Sequence, residues 1–486
     1  MDHSPSAHRT LLAPVRTALA PVRRTAPALA AAALLGAAAL LTGCAGGDLG
    51  KDPAAVLVAD SVTTGISAHI PTVATVAWET SDAVVSYVEY GPDTDYGYTT
   101  PAPASPGTAH TAALMDIPEL STWHFRVVAV AEDGTEVRTE DATVETDRCA
   151  GDVPDIEILD DDGAAWGTHT LAALGWSVSS DGNGAIIVND AGEIVWCWTD
   201  GEQRFVPWAA PSLDGRSVHI LSSSTGGDFG SRFYTVALDG SALDERLVPR
   251  AHHDVALVGA HGVQYAYLSS MVGTVGGDLV LADLIVEVLD DGSERTFWNA
   301  FNHLPVERHA GWENRNEEGA ADWTHGNGLH YEPASDSYVL STYYLNTLFL
   351  IDRPSGGDLV WQLGGSTSDF TFVGDPGFER QHGPELHGDT VYVFDNGGDD
   401  GSRAVSYTLD EGAGTATLDW QWVSPEGSIV GVLGDIDLLD GDQLLTGWGD
   451  LGQVSVTGRD GTLHWRMDAE PTALIGKAHR LDGLFP

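Results

Sequence analysis

Apolar and polar residues alternate along most of this chain in short runs broken by Gly, Asp, Asn and Ser. Period-two alternation is the mark of a strand with one face buried, so the pattern predicts an all-β protein. Beyond residue 165 the runs become repetitive. An alternating strand meets an Asp/Gly turn and returns through a second strand, usually with a Trp. The copies are "GAIIVNDAGEIVWCW", "RFYTVALDGSALDERLV", "LIVEVLDDGSERTFW", "LFLIDRPSGGDLVWQLGG", "AVSYTLDEGAGTATLDWQW" and "GQVSVTGRDGTLHWRMD". They recur at roughly fifty residues, the length of one four-stranded propeller blade, and "SVHILSSS", "SYVLSTYY", "TVYVFDNG" and "QLLTGWG" supply strands between them. Six hairpins predict a six-bladed β-propeller over 165–486.

Before it, residues 55–147 carry "VATVAWET", "VVSYVEYG", "HTAALMDI", "WHFRVVAVAEDG" and "TEDATVETD" at strand-and-turn intervals. This region resembles a fibronectin type III sandwich, with Trp78 on an early strand and Trp123 at the place of a corner aromatic. It is expected to act as a spacer or packing partner, with 148–164 as the linker to the propeller.

The N-terminus has a different character. Residues 1–24 hold four arginines and one aspartate, and an Ala/Leu-rich run then leads to Leu41-Thr-Gly-Cys44. This is the pattern of a bacterial lipoprotein signal over 1–43, with Cys44 lipidated and 44–54 as its tether. The expected location is therefore the cell envelope, with the lipid as the one membrane attachment. Of the three cysteines, Cys149 and Cys197 remain, free to bridge or to stay as separate buried thiols.

Charge narrows the partners. Without residues 1–43 the chain keeps 19 basic against 70 acidic residues, a surface that repels nucleic acid and anionic membrane. The two lysines, Lys51 and Lys477, lie in the tether and near the C-terminus, which argues against Schiff-base chemistry. No Gly-x-Ser-x-Gly elbow, His-Glu-x-x-His helix, Walker loop or Cys-x-x-Cys pair occurs, and no cofactor is expected.

A histidine stands four residues before a leucine in His253-Asp-Val-Ala-Leu257, His325-Gly-Asn-Gly-Leu329 and His382-Gly-Pro-Glu-Leu386. Each segment follows an outer hairpin, where the chain must return to the propeller axis. Aligned on the leucine, Ala209, His253, His325, His382 and Asp435 occupy one position in successive blades. Equivalent positions of radial blades converge, which predicts three imidazoles and a carboxylate around one pocket. His330 and His387, an odd number of residues further on, are expected to face away from it. Three histidines and Asp435 leave a His/Asp metal centre open as an alternative. "DNGGDDGS", Asp395 to Ser402, lacks the spacing of a calcium loop and reads as a turn.

"DWTHGN", "VLSTYYLNTLFLIDRPSGGDLVWQLGG", "RQHGPELHGDTVYVFDNG", "SRAVSYTLDE" and "LLTGWGDLGQVSVTGRDGTLHWRM" together resemble the bacterial arylsulfotransferase family over most of 165–486. The resemblance implies an exported six-bladed propeller that moves a sulfuryl group from a small aromatic sulfate ester to a phenol without a nucleotide donor. By motif, His382 is the transiently sulfated nucleophile, and His253, His325 and Asn327 bind the sulfuryl oxygens. Two departures stand out. The family's Ser-x-Arg reads Ser341-Thr342-Tyr343, which replaces a cation by a hydroxyl unless Arg308, Arg315 or Arg403 reaches inward. Gly383 stands where an acidic residue often follows the nucleophile. Tyr343 and Asp435 are taken as further substrate-binding residues, and the acidic surroundings are expected to raise the imidazole pKa values. The alternative of another class is a non-catalytic propeller that binds an anionic or aromatic ligand.

Overall fold

The computed structural model describes residues 61–151, 153–176, 182–224, 230–306, 310–316, 318–397, 401–424, 427–470 and 473–484. The signal segment, Cys44 and the tether lie outside these residues, as does Arg308. Among the described residues no helix is long and apolar enough to cross a membrane.

Six sheets, each with four antiparallel strands, form the blades of a β-propeller. Their innermost strands are Leu474–Leu481, Phe205–Pro211, Val255–Ala260, Gly326–Glu332, His382–His387 and Asp435–Leu439, for blades one to six in turn. The ring closes at both ends of the chain. Leu474–Leu481 pairs with His169–Trp176 as the inner strand of blade one, and Asp155–Asp161 pairs with Leu463–Glu470 as a fifth, outer strand of blade six. The segment 148–164, expected as a linker, thus carries a propeller strand. Its partner lies some three hundred residues away, beyond the reach of local alternation.

The repeated Trp has a structural reason. In blades one, three, four, five and six the pairing of the third and fourth strands from the axis carries a bulge, and the extra residue is the one before the Trp: Val195, Phe297, Val360, Asp419 and His464. A bulge increases local twist and re-aims the next side chain. Trp196, Trp298, Trp361, Trp420 and Trp465 follow these bulges and are buried. Blade two, whose outer strand "LDERL" has no Trp, pairs without a bulge. The core is accordingly a ring of inter-blade clusters. Trp298, for example, packs with Leu329 and Tyr338 across blades three and four, and Trp465 with Leu174 and Ala478 across blades six and one.

The N-terminal region is built on the long strand Ala74–Gly91, whose first half pairs with Thr63–Ile66 and Gly107–Leu114 and whose second half pairs with Thr122–Val130. Val76, Trp78, Val88, Trp123 and Phe125 form its core. Ile70, Val73 and Met115 are buried together with residues of blades one and two, and Asp116 meets His169 at 2.9 Å. Cys149 and Cys197 are bridged, which ties the chain ahead of the propeller to blade one.

Candidate active site

His253, His325 and His382 stand at or just before the innermost strands of blades three, four and five. His253 and His325 take left-handed backbone conformations (φ 56° and 49°), as do Arg380 and Gly383 on either side of Gln381-His382 (φ 55° and 49°). Such conformations are costly for residues with a Cβ and persist only where the surroundings impose them, as at functional sites. The three rings line one cavity of about 360 Å³ with Phe205, Tyr343, Tyr344 and Leu433. The centroids of His253 and His325 are 5.0 Å apart, and Tyr343 lies 5.3 Å from His325 and 6.0 Å from His382. The convergence expected from the repeated spacing is thus present for the three histidines but not for Asp435, and Tyr343 joins them.

Partners distinguish the rings. His382 Nδ1 is 2.7 Å from Asn396 Oδ1, while Asn396 Nδ2 donates to the main-chain oxygens of Val430 (3.0 Å) and Leu433 (2.7 Å). Those two bonds fix the amide orientation, so Oδ1 accepts and His382 carries its hydrogen on Nδ1. Nε2 keeps the lone pair. Burial pulls the His382 pKa down to about 4 against the opposing hydrogen bond to Asn396, so the ring is neutral near pH 7. At His325, burial also opposes protonation, but the hydrogen bond from Nδ1 to Asp322 Oδ2 (2.5 Å) and the charges of Asp322 and Asp283 outweigh it, and the pKa rises. His253 is held well below the ordinary value by burial, then by His325, His252 and His382. The acidic composition was expected to raise all three. It fails for His253 and His382 because surface carboxylates are screened by water, whereas desolvation acts at the ring itself.

The other expected residues lie outside this cavity. Asn327 donates its amide to the main-chain oxygen of Gln381 at 2.7 Å and so braces the residue before His382. Asp435 heads its inner strand as aligned, but its carboxylate turns to Lys477 Nζ at 3.0 Å, because Lys477 is half-buried on the neighbouring inner strand and needs a counter-ion. A Cβ on Gly383 would sit 2.7 Å from Asp435 Oδ1 and 2.9 Å from its Cα, so an acidic side chain there would have to displace Asp435. Arg403 binds Asp375 and Asp395, and Arg315 is exposed and donates to Gly319 O. Among the described residues no arginine or lysine lines the cavity. His330 and His387 pack on each other outside it, centroids 5.7 Å apart. No group of three or more His, Cys, Asp or Glu among the described residues is arranged to hold a metal ion.

A sequence profile described as Arylsulfotransferase (ASST) matches residues 170–430, more than half of the chain. The chain belongs to the arylsulfotransferase family. No curated protein sequence matches it. Solved structures similar to it include a streptogramin B lyase (11% identity, TM-score 0.37, 64% of this chain and 86% of that one). A protein of unknown function from Bacteroides caccae is also similar (16%, 0.37, 64% and 98%). So is a catalytically inactive virginiamycin B lyase from Staphylococcus aureus with quinupristin (9%, 0.34, 82% and 99%).

Within this arylsulfotransferase propeller, spacing alone did not reveal Asn396, Asp322, His252 and Asp283, which set the state of the three rings. His252 and Asp322 do sit one and three residues before His253 and His325, so "HHD" and "DWTH" held part of the signal. Asn396 comes fourteen residues after its histidine, two strands and a turn further on. A smaller chamber of about 180 Å³ shares His253 and His325 with the main cavity and adds Arg250, His252, Asp283 and Asp322.

Proposed function

We propose that this arylsulfotransferase-like protein moves a sulfuryl group from an aryl sulfate to a phenolic acceptor through sulfo-His382. The observation that carries the reading is the fixed Nδ1–H tautomer of a neutral His382 on the cavity wall. Neutral imidazole with a free Nε2 lone pair is a competent nucleophile. Nε2 attacks sulfur as the bond from sulfur to the aryl oxygen breaks, and the electron pair leaves with that oxygen. The sulfated ring keeps its Nδ1–H against Asn396 Oδ1 and is positively charged, which makes it a good leaving group. In the second step the acceptor oxygen attacks sulfur, loses its proton, and releases Nε2.

During transfer, negative charge spreads over the equatorial oxygens of the sulfuryl group. His325, pushed toward its cationic form by its pairing with Asp322, stabilises it, with Tyr343 offering a hydroxyl in place of the family's arginine. Phe205, Tyr344 and Leu433 give the aryl ring an apolar seat. We place the protein at the cell envelope, exported and held by a lipid on Cys44, acting on small aromatic sulfates without a cofactor.

The test uses an aryl sulfate that releases a coloured phenolate, assayed with and without a phenol. Acceptor-dependent release is expected, together with a sulfuryl group on the peptide containing His382 when the acceptor is omitted. One observation favours a second reading, a non-catalytic propeller that binds an anion or an aromatic ligand: no arginine or lysine among the described residues lines the cavity. Absence of both release and adduct across several aryl sulfates selects it.

A further inference from the structure

The transfer chemistry leaves one proton without a home. A weakly acidic phenol leaves readily only if it is protonated as it departs, and an acceptor phenol must lose a proton as it attacks. Behind His253 the structure holds a chain of groups suited to that task. His253 Nδ1 lies 2.9 Å from His252 Nδ1, a contact that holds one hydrogen between two nitrogens. His252 Nε2 lies 3.2 Å from Asp283 Oδ1. Asp283 is buried, and its Oδ2 accepts from the Thr324 hydroxyl and from Gly326 N at 2.6 Å. Burial opposes its ionisation, but the bonds from His252, Thr324 and Gly326 outweigh this and hold the carboxyl below its usual range. Asp283 is therefore a carboxylate, and His252 Nε2 carries a hydrogen.

We propose that His252, held by Asp283, stores the proton exchanged with the phenol oxygen, and that His253 passes it across the cavity wall. The proposal rests on the sulfuryl-transfer reading above. Two states follow from the contacts. With the proton stored, His252 has hydrogens on both nitrogens, and neutral His253 accepts at Nδ1 and presents Nε2–H to the cavity. Without it, His252 keeps only Nε2–H, and His253 keeps Nδ1–H with a lone pair on Nε2. In the donor half-reaction His253 Nε2–H moves to the leaving oxygen while the Nδ1 hydrogen of His252 shifts to His253. In the acceptor half-reaction both moves reverse, so protons balance over one turnover.

The arrangement keeps the positive charge away from His253, which is crowded by His325 and lines the same cavity as His382, and sets it beside a carboxylate. His252 faces the smaller chamber, where the other charged groups are Asp322, paired with His325, and Arg250, paired with Glu318 at 2.6 Å. His253 and His325 form the wall between the two cavities, so His252 exchanges its proton with water through the chamber while substrate fills the main cavity. His252 is a positioning residue in this scheme, since it does not touch substrate.

The experiment compares the full chain with His252→Gln on two aryl sulfates, one releasing a strongly acidic nitrophenol and one a weakly acidic alkylphenol. Gln keeps hydrogen bonds to both neighbours but cannot store a proton. The expected result is a kcat loss about 10²-fold larger for the alkylphenyl ester than for the nitrophenyl ester, with sulfo-His382 still formed. Equal losses on both esters, or no loss, overturn the proposal. Should the variant not fold, the wild-type protein supplies the second readout. A shallow dependence of kcat on leaving-group acidity supports stored-proton transfer, and a steep one overturns it. A wild-type chain that neither transfers sulfuryl nor forms the adduct overturns the transfer reading itself and this proposal with it, whereas transfer with an unchanged ester ratio overturns this proposal alone.

Discussion

Blades four and five each begin with a histidine at the same point of the repeat and give it opposite character. Left-handed backbone marks the start of each blade, at His325 in one and at Arg380 and Gly383 in the other, and the two rings line the same cavity. His325 meets a carboxylate, Asp322, and is pushed toward the cation. His382 meets an amide, Asn396, whose two donors are already spent on main-chain carbonyls, and it stays neutral. In the proposed mechanism one blade position thus serves as charge stabiliser or as nucleophile according to whether its Nδ1 partner can hold a negative charge. The repeat provides the position, and the partner provides the chemistry.

Substitutions test this contrast in order of expected effect. His382→Ala removes the proposed nucleophile and is expected to lower kcat by about 10⁴-fold or more and to abolish the sulfuryl adduct, read by acceptor-dependent release and peptide mass. Asp322→Asn gives the blade-four histidine an amide partner like that of blade five. Its kcat is expected to fall about 10²-fold to 10³-fold, as for loss of a transition-state charge partner. The sign of the pH effect follows from the raised pKa. Rate that depends on protonated His325 is present below that pKa and lost as pH rises through it, so Asp322→Asn moves this limb to lower pH. An unchanged profile would break the comparison.

Asn396→Asp performs the reverse exchange. Protonation of His382 is expected to lower activity at pH 7 by about 10-fold to 100-fold, with recovery as pH rises and the ring is neutralised. The variant also loses donors to Val430 and Leu433, worth about 1–3 kcal/mol of stability. The last effect is on the fold. The native pKa of His382, about 4, lies below the unfolded value of about 6.5, so the unfolded chain binds the extra proton between them. Stability from this group is full above that window and declines as pH falls through it, by about 3 kcal/mol in all. Urea unfolding at pH 7 and pH 4.5 is expected to show a smaller acid loss for His382→Ala than for the wild type.

The sequence alone determined the parts that depend on short-range pattern. Period-two alternation and six Asp/Gly hairpins established the six-bladed propeller, because the hairpin of the third and fourth strands is contiguous in the chain in each blade. The four-residue step from histidine to leucine established which imidazoles converge, because it recurs in phase with the blades. Tertiary structure decided what depends on distant neighbours. It sent Asp435 to Lys477, turned Asn327 behind Gln381, engaged Arg403 with Asp375 and Asp395, bridged Cys149 to Cys197, and added Asp155–Asp161 to the last blade. It also decided the charge of each histidine. Protonation follows desolvation and the nearest hydrogen-bond partner, and both are properties of packed space that residue spacing does not encode.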